Sequence, residues 1–135
     1  MPTTEDAVRA ANEGFYEAFR AADAERMSQV WAASAPVLCI HPGWGVLRER
    51  EAVIESWRNI FENPGSPAIE CSDVAIALFG LSAIVTCREG IAGQDAALVA
   101  TNVFVLEEDE WRMVHHHAGP VARAKAPRAP DRTLN

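Results

Sequence analysis

The spacing of hydrophobic residues predicts helices in the first half of the chain. Apolar side chains recur at the three-to-four-residue spacing of an amphipathic helix over residues 3–23 and again over residues 48–65. Between them, a shorter helix is predicted from Asp23, a capping residue, to the residue before Pro36. A short strand ending in a Pro–Gly turn is predicted over residues 36–45.

From Pro67 onward the hydrophobic period changes to two, which is the period of a half-buried strand. Four extended segments follow one another, at residues 68–79, 82–91, 97–107 and 111–118. Their connections are too short to contain a crossover helix, so neighbouring strands must run antiparallel as a meander. Helices followed by strands define an α+β fold, with three helices packed on one face of a curved antiparallel sheet.

Composition and charge narrow the function classes. The length of 135 residues suits one domain that can enclose a small cavity. The formal net charge of -7 opposes contact with phosphate backbones, so no nucleic-acid partner is expected. The longest apolar run, residues 74–87, is too short to span a bilayer and the acidic start does not resemble a signal peptide. We therefore expect no membrane association and a cytoplasmic location.

Domain organisation and cysteine usage agree with this picture. Residues 1–120 carry the helical and strand patterns, whereas residues 121–135 form a Pro/Ala-rich basic tail that we expect to be disordered. Cys39, Cys71 and Cys87 are odd in number and widely separated, which is typical of neither a disulfide framework nor a zinc ribbon. We interpret them as buried small hydrophobic residues.

Two sequence stretches point to a known family. They are "GVLREREAVIESW" at residues 45–57 and "TNVFVLEEDEWRMVHHHAGP" at residues 101–120. Together with the order of helices and strands, they make residues 4–120 resemble the SnoaL-like branch of the nuclear transport factor 2-like (NTF2-like) superfamily. The resemblance implies an NTF2-like cone, in which helices close one end of a bent sheet around an internal cavity. It also implies that the outer side of the sheet forms a homodimer interface.

The resemblance does not imply one reaction. Relatives include ketosteroid isomerases, scytalone dehydratase, polyketide cyclases, limonene epoxide hydrolases, and members that only bind or assemble. Ketosteroid isomerases use a tyrosine and an aspartate in the cavity, but here Tyr16 is the sole tyrosine and no aspartate matches that base. Polyketide cyclases place an acidic base on the sheet, where this chain has Asn102. Steroid isomerisation is therefore not supported.

Three adjacent histidines carry the densest candidate chemistry. Alternation along a strand places His115 and His117 on one face, together with Met113, and His116 on the other. The last strand is also similar to that of the association domain of calmodulin-dependent protein kinase II. By that resemblance His116 faces the cavity, and the neighbouring strand points two further side chains inward: Asn102 and Phe104.

These histidines allow catalytic, structural and metal-binding hypotheses. His116 and His41 are the candidate catalytic residues, because imidazole transfers protons near neutral pH; a buried histidine that only completes a hydrogen-bond network is the alternative. His115 and His117 have the spacing of two metal ligands, and His41 or a carboxylate would have to supply a third. A hydrogen-bonded pair at a dimer interface is the interpretation we prefer, so no metal and no cofactor are expected.

Aromatic residues complete the predicted site. Aromatic walls suit an apolar or ring-bearing ligand, and the candidates are Trp31, Trp44, Trp57 and Phe61, with Asn102 and Phe104 from the sheet. We predict a small-molecule pocket protein, and a cofactor-free acid–base enzyme of the isomerase, dehydratase, cyclase or hydrolase type. A ligand-binding module without turnover and a dimerising interaction domain are the alternatives. Its partners would be an unknown small molecule and a second copy of the chain.

Overall fold

The computed structural model describes residues 3–65 and 68–122 as helices followed by a sheet. The helices are α1 (Thr4–Ala21), α2 (Ala24–Val30) and α3 (Arg50–Glu62), and the strands are β1 (Leu38–Ile40), β2 (Ile69–Phe79), β3 (Ser82–Ile91), β4 (Leu98–Glu107) and β5 (Glu110–Pro120). The predicted α+β class is confirmed. Of the predicted tail, residues 123–135 lie outside the described residues.

Side-chain caps begin the first two helices where the sequence predicts them. Thr3 Oγ1 accepts a hydrogen bond from the Asp6 N–H at 3.0 Å, and Asp6 returns one from its carboxylate to the Thr3 N–H. The Asp23 carboxylate accepts from two backbone N–H groups in the first turn of α2. Within the described residues, none of the helices is long and apolar enough to cross a membrane.

The described strands form one sheet in the order β1-β5-β4-β3-β2. The meander β2 to β5 is antiparallel, as predicted, whereas β1 pairs in parallel with β5. In that pairing Cys39 lies opposite His116. His41 is the next interior position after Cys39. β1 and the residue that follows it therefore place a second histidine in the interior, near His116.

A bulge in β5 places Met113 on the opposite face of the sheet from the one predicted. Val103 pairs with His115, but Phe104 pairs with Met113, which leaves Val114 as the extra residue. Met113 is therefore on the interior face with an exposure of 0%, whereas simple alternation placed it on the outer face with His115 and His117. The bulge shifts the alternation by one residue, and sequence period alone does not reveal it.

The hydrophobic core lies between α1, α3 and the interior face of the sheet. α1 contributes Val8, Phe15, Tyr16 and Ala18, all fully buried. Arg50 ties the start of α3 to the end of α2, because its guanidinium donates to the carbonyl oxygens of Ser28, Trp31 and Ala32 at 2.8–3.1 Å. This arrangement fixes the helices over one half of the sheet and positions the site described next.

Candidate functional site

A pocket of about 230 Å³ lies between α1, α3, the turn after β1 and the interior face of the sheet. Its polar lining consists of Glu89, His41 and His116, and its apolar lining consists of Phe19, Pro42, Trp44, Trp57, Ile60, Ile69 and Leu98. Two larger grooves, of about 690 and 610 Å³, lie on the surface beside α3 and α2. We place the candidate site in the pocket because buried titratable groups converge there.

Glu89 is the buried carboxyl group of this pocket. It lies on the interior face of β3, two residues beyond Cys87, and only 2% of its surface is exposed. The Tyr16 hydroxyl donates a hydrogen bond to Glu89 Oε2 at 2.5 Å. Burial raises the pKa of Glu89, and the hydrogen bond from Tyr16 opposes that rise. Burial of Glu89 therefore favours its protonated form over the carboxylate.

Glu89 was not predicted as a site residue, although the chain contains a signal for it. On β3 the alternation that buries Ala83, Val85 and Cys87 also buries the next residue on that face, which is Glu89. A carboxyl group at an interior strand position is costly unless it is hydrogen-bonded or functional. No role in the site was predicted for its hydrogen-bond partner Tyr16, which was considered only because ketosteroid isomerases use a tyrosine.

An amide network fixes the protonation of His116. Asn102 Nδ2 donates both of its hydrogens, to Asn12 Oδ1 at 2.8 Å and to the Tyr16 hydroxyl oxygen at 3.2 Å. Asn102 Oδ1 lies 2.7 Å from His116 Nδ1 and can only accept, so Nδ1 carries the proton. The lone pair of His116 is thereby placed on Nε2. Complete burial lowers the pKa of His116 to about 3, so the ring is neutral near pH 7.

His41 has the opposite tautomer. Its Nε2 lies 2.8 Å from Ser56 Oγ, and the Ser56 hydroxyl donates its own proton to the Val53 carbonyl oxygen at 2.6 Å. His41 Nε2 must therefore donate to Ser56, which leaves the lone pair on Nδ1. Burial lowers the pKa of His41 to about 4. The two imidazole rings are 6.5 Å apart between centroids, and both are neutral bases at pH 7.

Glu89 and His116 face each other without a direct hydrogen bond. Glu89 Oε2 and His116 Nε2 are 4.0 Å apart, which is within ion-pair range but too long for a hydrogen bond. An ion pair would require a buried imidazolium and a buried carboxylate, whereas burial moves both pKa values toward the neutral forms. Burial therefore favours a neutral carboxyl group beside a neutral imidazole, whose Nε2 faces Glu89 Oε2.

Aromatic rings enclose this acid–base pair. Trp57 is in the centre, with its ring centroid 4.7 Å from His41 and 5.9 Å from His116. Trp44, which is 47% exposed, packs edge-on against His41 at 4.7 Å and forms the outer rim. Phe61 lies behind Trp57 at 5.7 Å rather than in the lining. Trp44 and Trp57, two of the predicted ligand-binding residues, therefore both line the pocket.

The structure separates the other predicted ligand-binding residues from the pocket. Asn102 contacts His116 from behind and so positions it. Trp31 and Phe104 are buried in the core and are close to Met113, through a backbone bridge and through strand pairing. The pocket lies toward the opposite end of the sheet, where Leu98 pairs with Glu89. The interior face of the sheet is longer than the pocket. Trp31, Phe104 and Asn102 are buried on that face but are not among the described residues that line the pocket.

The outer histidines form a separate pair. His115 and His117 lie on the other face of β5 with ring centroids 6.3 Å apart, as the alternation predicts. Partial burial lowers the pKa of His115, and the neighbouring His117 adds to that effect. Among residues 3–65 and 68–122, no group of three or more histidine, cysteine, aspartate or glutamate side chains could hold a metal ion.

The interior histidines predict acid sensitivity. Their pKa values are about 3 and about 4 in the folded protein, below the value of about 6.5 expected after unfolding. The unfolded chain therefore takes up protons first, and the free energy of unfolding should fall as pH falls from 7.5 to 5. Glu89, whose pKa is raised, works in the other direction but is one group against two.

Urea unfolding at several pH values tests this expectation. His41→Gln keeps a donor for Ser56 but cannot titrate, so it should make the loss of stability between pH 7.5 and 5 clearly smaller. Asn59→Gln, exposed on α3, is the control and should leave the wild-type slope unchanged. A wild-type stability that is independent of pH over this range would mean that the interior histidines are not held neutral.

Comparison with known proteins identifies the family. The sequence profile of the SnoaL-like domain matches residues 8–123, which is most of the chain. The chain therefore belongs to the SnoaL-like domain family, as the sequence motifs indicate. Solved structures of NTF2-like proteins share its fold, so the predicted superfamily is confirmed as well.

Two solved structures are similar in both sequence and fold. One, from Streptomyces avermitilis, is described as a candidate dehydratase of the NTF2-like family; it is 35% identical, with a TM-score of 0.79, over 87% of this chain and 96% of that one. The other, from Thiobacillus denitrificans, is described as a candidate calcium/calmodulin-dependent protein kinase type II association domain. It is 36% identical, with a TM-score of 0.73, over 90% and 97% of the two chains.

A plant protein shares the same region. F-box protein SKIP8 from Arabidopsis thaliana is 27% identical over 115 residues, which is 85% of this chain. The chain spans only 50% of the length of that relative. The similarity therefore concerns one part of the plant protein.

Proposed function

We propose that this protein is a cofactor-free acid–base enzyme that dehydrates or isomerises a small neutral molecule in the pocket lined by Glu89 and His116. One observation carries the proposal: Glu89 Oε2 and His116 Nε2 are 4.0 Å apart, both side chains are almost fully buried, and both line the pocket. A protonated carboxyl group and a neutral imidazole are the acid and the base that a concerted proton transfer requires. A ligand oxygen or carbon between them would be within reach of both groups.

The pocket favours a small and uncharged substrate. Its volume of about 230 Å³ is below the range of roughly 300–1,000 Å³ that is usual for ligand sites. Neither lysine nor arginine is among the described residues that line it, so an anionic group would have no cationic partner. The Trp57 indole N–H has no hydrogen-bond acceptor among the described residues, and a carbonyl or hydroxyl oxygen on the ligand would supply one.

The reaction follows from the protonation states of the pair. In a dehydration, His116 Nε2 would remove a proton from the carbon beside a carbonyl group, and Glu89 would protonate the departing hydroxyl group as water. The Tyr16 hydroxyl, hydrogen-bonded to Glu89 Oε2, would stabilise the carboxylate that forms. Transfer of the proton from His116 to Glu89 then restores the starting state. The dehydratase description of the Streptomyces avermitilis relative supports this choice of reaction.

Deuterium exchange is a direct test of this function. The protein is incubated in deuterated water with a panel of small neutral ketones and β-hydroxy ketones, and NMR follows deuterium at the α-carbon and loss of the hydroxyl group. We expect exchange or dehydration with at least one compound, unchanged in His117→Gln. Ligands that bind and protect the protein against heat but never exchange would instead favour the alternative, a binding module without turnover.

Assembly is a second proposal, which rests on the outer face of the sheet. Apolar side chains there are unusually exposed, at 37% for Ile84, 42% for Val99 and 38% for Leu38. Ile84 and Val99 lie on the adjacent strands β3 and β4, and Leu38 lies on β1, which β5 separates from β4. A second copy of the chain could cover this partly apolar face. We propose a homodimer through this face. The cytoplasmic location stays a prediction.

Light scattering after size exclusion tests the dimer. Wild-type protein at micromolar concentration should have the mass of two chains, and Ile84→Lys should have the mass of one chain, because a charge would be buried in the interface. Glu51→Lys, exposed on α3 on the opposite side of the sheet, is the control and should remain dimeric. A monomeric wild-type protein would contradict the proposal.

A further inference from the structure

Two cysteines lie together beside the polar network and have no part in the proposed reaction. Cys71 on β2 lies opposite Glu89 in the strand pairing, and Cys87 is two residues before Glu89 on the same interior face of β3. A bulge separates Ser72 from Ala75, so β2 is distorted next to the pair. Both sulfur atoms are free thiols.

Helix α1 places one polar side chain on each thiol. Asn12 Nδ2 donates to Cys71 Sγ at 3.7 Å, and the Tyr16 hydroxyl lies 3.3 Å from Cys87 Sγ. Asn12 and Tyr16 are four residues apart on the helix, so they are neighbours on one helix face. The same helix face therefore contacts both sulfur atoms, which lie on the interior side of the neighbouring strands β2 and β3.

The two thiols differ in acidity and in access. Hydrogen bonding between the thiols raises the pKa of Cys71 and lowers that of Cys87. Cys87 is therefore the thiol with more thiolate, which is the reactive form. Its exposure is only 2%, whereas Cys71 is half-buried on β2, an edge strand of the sheet. A small oxidant can approach from that edge, and a bulky one cannot reach Cys87.

We propose that Cys71 and Cys87 are a redox-active dithiol that hydrogen peroxide oxidises to an intramolecular disulfide. Cys87 attacks the peroxide as its thiolate, forming a sulfur–oxygen bond while the oxygen–oxygen bond breaks and the first water is released. Cys71 then attacks the Cys87 sulfur, forming the disulfide while the sulfur–oxygen bond breaks and the second water leaves. The two thiols lose two electrons and two protons, and one peroxide becomes two waters.

The dithiol is connected to the pocket through Tyr16. The Tyr16 hydroxyl contacts Cys87 Sγ and also donates to Glu89 Oε2. Because a disulfide sulfur has no proton and occupies a different position, oxidation changes the surroundings of this hydroxyl. The surroundings of Glu89 should therefore change. Those of His116 should change as well, because its Nε2 lies 4.0 Å from Glu89 Oε2. Oxidation would then change the pocket through Tyr16, although neither cysteine is among the described lining residues.

Thiol counting tests the dithiol in the full chain. After peroxide treatment and denaturation, we expect the wild-type protein to retain one of its three free thiols. Cys39→Ser should lose both remaining thiols, because burial raises the pKa of Cys39 to about 12 and keeps it unreactive. In Cys71→Ser no intramolecular disulfide can form, and dimedone should trap a sulfenic acid on Cys87.

Three results would overturn the proposal. The folded wild-type protein could keep all three free thiols after peroxide treatment, or a non-reducing gel could show a disulfide that joins two chains. Peroxide-treated Cys71→Ser could also form the same intramolecular disulfide product as the wild type. If Cys71→Ser does not fold, Cys71→Ala with the same readout replaces it. The link to the pocket is read separately: the NMR signals of the His116 ring should shift on oxidation of the wild-type protein, and an unchanged ring would refute that link.

Discussion

Glu89→Gln should lower the turnover of any substrate found in the exchange assay by about a hundredfold or more, the usual cost of losing a general acid. Glutamine has the shape of glutamate and can still accept the hydrogen bond from Tyr16. It cannot release a proton near neutral pH, so the acid disappears while the pocket keeps its volume. The measurement is kcat in a purified variant whose circular dichroism spectrum matches the wild type.

The matched control for this variant is Glu70→Gln. Glu70 lies on the neighbouring strand β2 and is exposed, so the same chemical change there should leave kcat unchanged. Binding of substrate should survive in Glu89→Gln, since the aromatic lining is intact. Equal kcat values in wild type and Glu89→Gln would show that this carboxyl group is structural and would remove the acid from the proposed mechanism.

Asn102→Leu should lower the free energy of unfolding by about 3 kcal/mol, the largest loss of stability that we expect from a single polar residue. Asn102 makes three buried hydrogen bonds, to Asn12, Tyr16 and His116. Leucine fills a similar volume but leaves Asn12 Oδ1 and His116 Nδ1–H without partners. Each buried group left unpaired costs about 1–3 kcal/mol, and the apolar gain of leucine offsets part of that.

Urea unfolding at pH 7.5 measures this loss. Thr101→Val removes a hydroxyl group from the adjacent residue of β4, whose side chain is on the outer face, and should change stability by less than about 0.5 kcal/mol. If the urea midpoint and the slope of the unfolding transition are the same in Asn102→Leu and wild type, the hydrogen bonds of Asn102 do not stabilise the fold as predicted. Such a result would mean that water or a rearranged partner satisfies His116 without Asn102.

The fold could be predicted from the sequence because its elements have strong and different periods. The change from helical spacing to alternation near Pro67 separates α3 from β2, and the short connections leave only an antiparallel meander. His116 faces inward as predicted, since alternation is local to β5. Met113 was assigned to the wrong face, because a bulge is one extra residue that leaves no mark in the hydrophobic pattern.

The site was harder to predict than the fold, for physical reasons. Glu89 could have been found by applying alternation to β3 as it was applied to β5. The hydrogen bonds that give it a role could not, because Tyr16 reaches Glu89 across 73 residues only after α1 docks on the sheet. Trp31 was assigned to the pocket by residue type, whereas its position at the end of α2 takes it into the core.

His116 should be a neutral base with its lone pair on Nε2, facing Glu89 in the pocket. Nitrogen-15 NMR of histidine-labelled protein at pH 7 measures this directly, because protonated and unprotonated ring nitrogens have well-separated chemical shifts. His117→Gln and His116→Gln assign the signals. We predict a protonated Nδ1 and an unprotonated Nε2 for His116, unchanged down to pH 5. A ring with both nitrogens protonated at pH 7, or with the proton on Nε2, would contradict the predicted tautomer of His116 and its role as a base.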